Sequence, residues 1–236
     1  SILLEKRQDR NMETLGRKPF QGVTNILRFN WHYYIIAIIV STVVIVAKNF
    51  LPSSVRIILS IILLLAVLSI LISLITSWYV YDYSTLYTLN WLDKLKIGSN
   101  KQLVNINAGF DETSILLKEK YPDCKLLVFD FYDPKRHTEI SIERARKAYP
   151  AYPGTDTIET NSIPVKENSA DYIFLLLAAH EIRNDEERIF FFKQIENILC
   201  PEGKIIVVEH QRDMYNFIAY NIGFFHFLSP NTWKKT

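Results

Sequence analysis

No Asp, Glu, Lys, Arg or His occurs between Ile57 and Tyr81. A bilayer's hydrocarbon core takes about 20 apolar residues in a helix, so this stretch is long enough to cross one. A soluble helix of that length would need a polar face, and none is present. The stretch ends in Trp78, Tyr79 and Tyr81, the aromatic types that settle at headgroup level. A second, weaker candidate runs from Phe29 to Ala47, without an acidic side chain, Lys or Arg, and is almost wholly apolar from Tyr33 onward. Lys48 to Arg56, with Pro52 and two serines, is too short to be a domain. The two spans are therefore expected to form an antiparallel hairpin with both chain ends on one side.

Lys6, Arg7, Arg10, Arg17, Lys18 and Arg28 precede the hairpin, whereas its loop carries only Lys48 and Arg56. This asymmetry places both chain ends in the cytoplasm. The organisation expected is a cytoplasmic N-terminal segment over 1–28, a transmembrane helical hairpin over 29–81 and a cytoplasmic domain over 82–236. A cleaved signal peptide does not fit, because two spans follow a long polar segment.

The remainder reads as an ordinary domain with charges throughout. The formal net charge of +2, with no Arg/Lys cluster interleaved with aromatics, argues against a nucleic-acid partner. Cys124 and Cys200 stand far apart without metal-ligand spacing and are expected to be free thiols in a reducing compartment. His137, His180, His210 and His226 have no partner at a recognised metal spacing, so no metal site is expected.

From Tyr83 to Asn100, Leu89, Trp91, Leu92 and Leu95 are spaced for one apolar helical face. Short apolar runs then alternate with helical patterns: Leu103 to Asn107 before Glu112 to Lys120, Leu126 to Asp130 before Glu139 to Tyr149, Tyr172 to Ala178 before Asp185 to Leu199, then Lys204 to Glu209. A weak extra strand is expected around Thr157 to Thr160. Such alternation implies parallel strands joined by right-handed crossovers. Asn184 followed by Glu187 matches a capping box, and Cys200-Pro201-Glu202-Gly203 breaks the helix before the last strand. The fold class is α/β, a Rossmann-like mostly parallel sheet with flanking helices, preceded by the two-helix transmembrane hairpin.

Open α/β sheets bind ligands outside the carboxyl ends of their strands. After the first strand stands Asn107-Ala108-Gly109-Phe110-Asp111-Glu112-Thr113, with one glycine where a nucleotide-binding protein places several. One glycine does not distinguish a cofactor loop from an ordinary turn. Asp130 closes the second strand about twenty residues on, where an acid can accept hydrogen bonds from two ribose hydroxyls. With Asp133-Pro134 it also fits simple turn chemistry.

The order of Leu103 to Gly109, Asp130, Ile163-Pro164-Val165, Ser169-Ala170-Asp171-Tyr172-Ile173 and Leu199-Cys200-Pro201-Glu202-Gly203-Lys204 resembles the successive motifs of class I S-adenosylmethionine-dependent methyltransferases. The resemblance covers the chain from about Tyr83 onward, and it lies in the order of the motifs rather than in any one of them. Two departures stand out. The glycine-rich loop is reduced, and the chain stops where the family adds an antiparallel pair of strands, so the sheet is expected to lack its final strands.

The resemblance implies S-adenosylmethionine as cofactor, with Asn107, Ala108, Gly109 and Phe110 along its methionine portion and Asp130 on the ribose. It further implies Phe131 and Tyr132 flanking the adenine ring and Glu159 or Asn161 reaching the adenine amino group. Ala178 and Ala179 are the small residues beside the cofactor at the end of the fourth strand. His180 is the candidate general base, since an imidazole titrates near neutral pH, and Glu181 could orient it. Glu209-His210 is a similar pair that reads more simply as a turn or helix cap. Met214 to Leu228 is unusually aromatic and nearly uncharged, fitting either a core helix against the sheet or the wall of an apolar pocket facing the bilayer.

The activity implied is methyl transfer from S-adenosylmethionine to a hydrophobic small molecule or lipid, with the membrane as partner. The alternative is a catalytically silent S-adenosylmethionine-binding or scaffold domain at the membrane. A nicotinamide-dependent oxidoreductase is disfavoured, because its glycine fingerprint and a catalytic Tyr/Lys pair are missing.

Overall fold

In the computed structural model the described residues are 17–137 and 139–236. In chain order the helices are α1 (Gln21–Phe29), α2 (Trp31–Ala47), α3 (Ser53–Trp78), α4 (Ser114–Lys120), α5 (Ile140–Ala148), α6 (Asp185–Ile198), α7 (Met214–Tyr220) and α8 (Pro230–Trp233). The strands are β1 (Gln102–Asn107), β2 (Lys125–Asp130), β3 (Asp156–Thr157), β4 (Ala170–Leu176) and β5 (Leu199–Val208). The chain divides into two units, one built on Thr85–Gln211 and Phe227–Thr236 and the other on Phe20–Ser84 and Arg212–His226.

The first unit is a parallel sheet in the order β3-β2-β1-β4-β5. The order reverses between β1 and β4, which is the switch point of a doubly wound fold. Side chains alternate between its two faces, as strand periodicity requires. Val104, Ile106, Ile173 and Leu175 join Phe191, Ile195 and Ile198 of α6 on one face. Leu103 and Phe174 join Leu89, Leu92 and Leu117 on the other. Each such side chain, fully buried, contributes about 1.5–3 kcal/mol. The sheet is therefore covered on both faces, and its carboxyl edge is left for chemistry.

Local structure follows the sequence closely at α6, where the Asn184 side chain accepts from the Glu187 amide at 2.9 Å. It departs elsewhere. Between Tyr83 and Asn100 the chain makes only a 3-10 turn, Asn90–Leu95, because Leu89 and Lys96 on its flanks take left-handed backbone conformations. Its Leu89 and Leu92 are nevertheless buried. β5 starts at Leu199 rather than Lys204, with a register shift opposite Ala170 and Tyr172 that absorbs the Pro and Gly.

In the second unit, Trp31–Phe50 and Ser53–Tyr83 are long and apolar enough to cross a membrane, and neither apolar stretch is buried within the protein. α1 falls inside the expected N-terminal segment, whose residues 1–16 lie outside the described residues. Its first-turn amides, Gly22 and Val23, donate to the two carboxylate oxygens of Asp82 at 2.7 and 2.8 Å. A carboxylate there satisfies orphan amides and opposes the helix dipole. Residues sixty positions apart thus meet at one end of the hairpin.

Candidate functional site at the carboxyl edge of the sheet

β1 and β2 run in register, Asn107 opposite Asp130, so the reduced glycine loop and the acid emerge side by side. Gly109 sits at φ +100, which favours glycine, and a Cβ there would lie 2.7 Å from Cδ2 of Tyr132. The remaining glycines of a cofactor loop are replaced by polar tethers. The Asn105 amide donates to the hydroxyls of Thr113 and Ser114 at 3.0 and 2.8 Å. Asp111 Oδ1 accepts from the amides of Thr113 and Ser114, both at 2.9 Å, opening α4. Glu112 of this loop is held by Arg17 at 2.7 Å, and Arg17 lies over the Tyr87 ring.

Two buried polar atoms in the loop, Asn107 Nδ2 and Asp111 Oδ2, have no hydrogen-bond partner among the described residues. One is a donor and one an acceptor, the pair that a zwitterionic amino-acid end requires. Buried polar atoms left this way are costly, so they mark where a ligand's polar groups would be accepted.

Asp130, 5% exposed, is already engaged. Its Oδ1 accepts from the Tyr132 amide at 2.9 Å. Its Oδ2 pairs with Arg146 of α5, which also donates to the Gly109 carbonyl at 3.1 Å and lies over the Tyr132 ring. The sequence reading missed Arg146. Both carboxylate oxygens of Asp130 thus already have partners within the protein.

Of the adenine candidates, Tyr132 packs against Gly109 and stacks on His137. Phe131 is a core residue rather than a ring clamp, 3% exposed with its ring 5.7 Å from that of Phe191. Glu159 and Asn161 are both exposed in the turn after β3. Phe110 leans on Tyr149 at 5.3 Å. Ala108, Ala178 and Ala179 are buried at the strand ends.

At the end of β4 the backbone turns sharply. Leu177 has φ +56, a strained value for a residue with a Cβ, and the 3-10 turn Ala179–Glu181 follows. That turn brings His180 and Glu181 together, with Nε2 3.3 Å from Glu181 Oε1. The other nitrogen, Nδ1, lies 2.6 Å from Glu209 Oε2, just beyond β5, whose Oε1 also accepts from the His180 amide at 3.3 Å. Burial alone would lower the imidazole pKa, but Glu209 and Glu181 outweigh it and push it up to about 10. The raised pKa favours an imidazolium at neutral pH, with each ring nitrogen facing a carboxylate, an arrangement that suits a positioning role better than the general-base role expected of it. Glu209 is the partner that the sequence pattern did not identify. Arg188, fully buried, donates to the Ile182 carbonyl at 2.9 Å and fixes the far end of the same turn.

Next to this cluster a cavity of about 510 Å³ opens between β5 and the C-terminal segment, lined by Phe192, Val207, Val208, Glu209 and Trp233. Gln211, Thr236 and the Glu209 carboxylate add polar groups to this largely apolar lining.

No protein-family model matches the chain, and no curated protein sequence matches it. Solved structures do. The YcgJ protein of Bacillus subtilis is 14% identical over 64% of this chain and 65% of its own, with a TM-score of 0.43. A SAM dependent methyltransferase from Aquifex aeolicus is 17% identical over 56% of this chain and 70% of its own, with a TM-score of 0.37. Phosphoethanolamine N-methyltransferase 1 of Haemonchus contortus, solved with phosphoethanolamine and S-adenosylhomocysteine, is 22% identical over 54% of this chain and 26% of its own, with a TM-score of 0.39. This chain therefore spans less than two thirds of the first of these proteins. At such distances the similarities carry no argument of their own, and the fold rests on the strand order.

Proposed function

We propose that this chain is a membrane-bound methyltransferase that moves a methyl group from S-adenosylmethionine to a hydrophobic small molecule or lipid. The observation that supports it most is the juxtaposition, at the ends of adjacent parallel strands, of Gly109, the unpartnered Asn107 Nδ2 and Asp111 Oδ2, and Asp130. These residues suit the amino-acid end of the cofactor, and Asp130 suits its ribose once Arg146 has moved. When bound there, S-adenosylmethionine supplies an electrophilic methyl group. The chain's own contribution is alignment, which suffices for many such transfers. His180 holds Glu181 and Glu209 in fixed positions at the ends of β4 and β5, and the apolar side of the neighbouring cavity, Phe192, Val207, Val208 and Trp233, suits a hydrophobic acceptor. Two helices of membrane-spanning length support attachment to a bilayer, with the sheet on the cytoplasmic side by the Lys/Arg asymmetry.

A second reading, a silent S-adenosylmethionine-binding or scaffold domain, is favoured by one observation, the Arg146 guanidinium already seated on Asp130. The two readings separate in an assay with radiolabelled methyl donor and a total membrane-lipid extract. Enzymatic transfer predicts label in the organic phase that disappears in Asp130→Asn. Binding of the donor with all label left on the donor in the aqueous phase favours the silent domain.

A further inference from the structure

We infer that Met214 to Phe225 is a third membrane-embedded element, a re-entrant loop that enters one leaflet along α3 and turns back at Asn221. It rests on the reading of α2 and α3 as membrane spans. No Asp, Glu, Lys or Arg occurs between Asp213 and His226. An apolar segment of this length is too short to cross a bilayer and suits a re-entrant or interfacial position. α7 packs against α3 within one unit, which favours the bilayer-facing reading of the two that the sequence left open for this segment.

The depth follows from one hydrogen bond, in which the Ser69 hydroxyl donates to Asn221 Oδ1 at 2.6 Å. Ser69 precedes Trp78, at the aromatic end of α3, by nine positions, or roughly 13 Å of helical rise. A leaflet's share of the hydrocarbon core is about 15 Å, so the pair lies deep within it. α7, at seven residues, is about 10 Å long, enough to carry the chain from headgroup level towards that depth. Asn221 then reverses the chain with φ +52, and a 3-10 turn, Asn221–His226, leads back. At the mouth, Asp213 caps α7 by accepting from the Asn216 amide, and Arg212 donates to the Phe225 carbonyl at 2.7 Å. Charge thus stays at the water boundary, and in hydrocarbon the Ser69 hydroxyl and Asn221 Oδ1 satisfy each other.

The outward surface is what lipid requires. Tyr215 is 84%, Met214 69% and Phe225 64% exposed, as are most apolar side chains of α2 and α3. A patch of this kind is unfavourable against water and neutral against acyl chains.

The test uses full-length protein carrying Cys200→Ser, in which the buried Cys124 sets background labelling. Tyr215→Cys and Phe225→Cys are each labelled with a small fluorophore and reconstituted in phosphatidylcholine/phosphatidylglycerol vesicles, with Ile62→Cys as the hairpin control. Quenching of all three by brominated acyl chains, with shielding from aqueous iodide, is the expected result. Iodide quenching at 215 and 225 with lipid quenching at 62 overturns the re-entrant loop and leaves the hairpin standing. Iodide quenching at 62 as well removes the membrane reading itself. Shielding of 215 and 225 from both quenchers means that protein covers them, a second copy included, and also overturns the loop.

Discussion

His180 sits between two buried carboxylates, and its raised pKa has a consequence for stability. A group whose folded pKa lies above its unfolded value stabilises fully below the unfolded value and loses that contribution as pH rises to the folded one. For His180 the window runs from about 6.5 to about 10. The stability difference between the natural protein and His180→Gln should therefore be largest near pH 6 and shrink steadily towards pH 10 in denaturant titrations. Near neutral pH it should be about 3–5 kcal/mol, because the substitution leaves Glu209 buried without its charge partner. Nitrogen chemical shifts should report both ring nitrogens protonated at pH 8; a neutral imidazole there would contradict the geometry. Gly109→Ala meets both an unfavourable φ and the Tyr132 ring, and should cost about 1–2 kcal/mol in thermal unfolding. That Gly109 and Asp130 stand at the ends of neighbouring strands was legible, because the apolar runs before them mark where each strand stops. Arg146 and Glu209 were not, since each acts through a partner that only the folded sheet brings near.

At the scale of elements, the alternating apolar runs told where β1, β2, β4 and α6 lie, because each buries a face with its own period. The cap on α1 was hidden, since its carboxylate comes from Asp82, beyond two intervening helices. Asp82→Ala should weaken that cap by about 1 kcal/mol and speed hydrogen exchange in α1, with α6 unaffected. α5 carries the latch. Freeing Asp130 by Arg146→Ala should tighten S-adenosylmethionine binding severalfold in equilibrium dialysis, if the guanidinium competes with the ribose. Unchanged affinity would show that the two do not compete.

The molecule as a whole combines an α/β sheet with a hairpin of membrane-spanning length. Composition made both visible, because a charge-free run and an alternating pattern are different solutions to burial. It could not show that Met214 to Phe225 belongs with the hairpin, as an aromatic segment suits a sheet core equally well until its neighbours are known. If the hairpin spans a bilayer, the protein should stay with membranes through alkaline carbonate washing and leave them only in detergent. The central claim is that the edge between β1 and β2 holds S-adenosylmethionine. Calorimetric titration of S-adenosylmethionine and its demethylated product into the detergent-solubilised protein, beside Asp130→Ala, tests it most directly. Saturable binding that the variant loses is the predicted result, and absence of binding to the folded natural protein would contradict it.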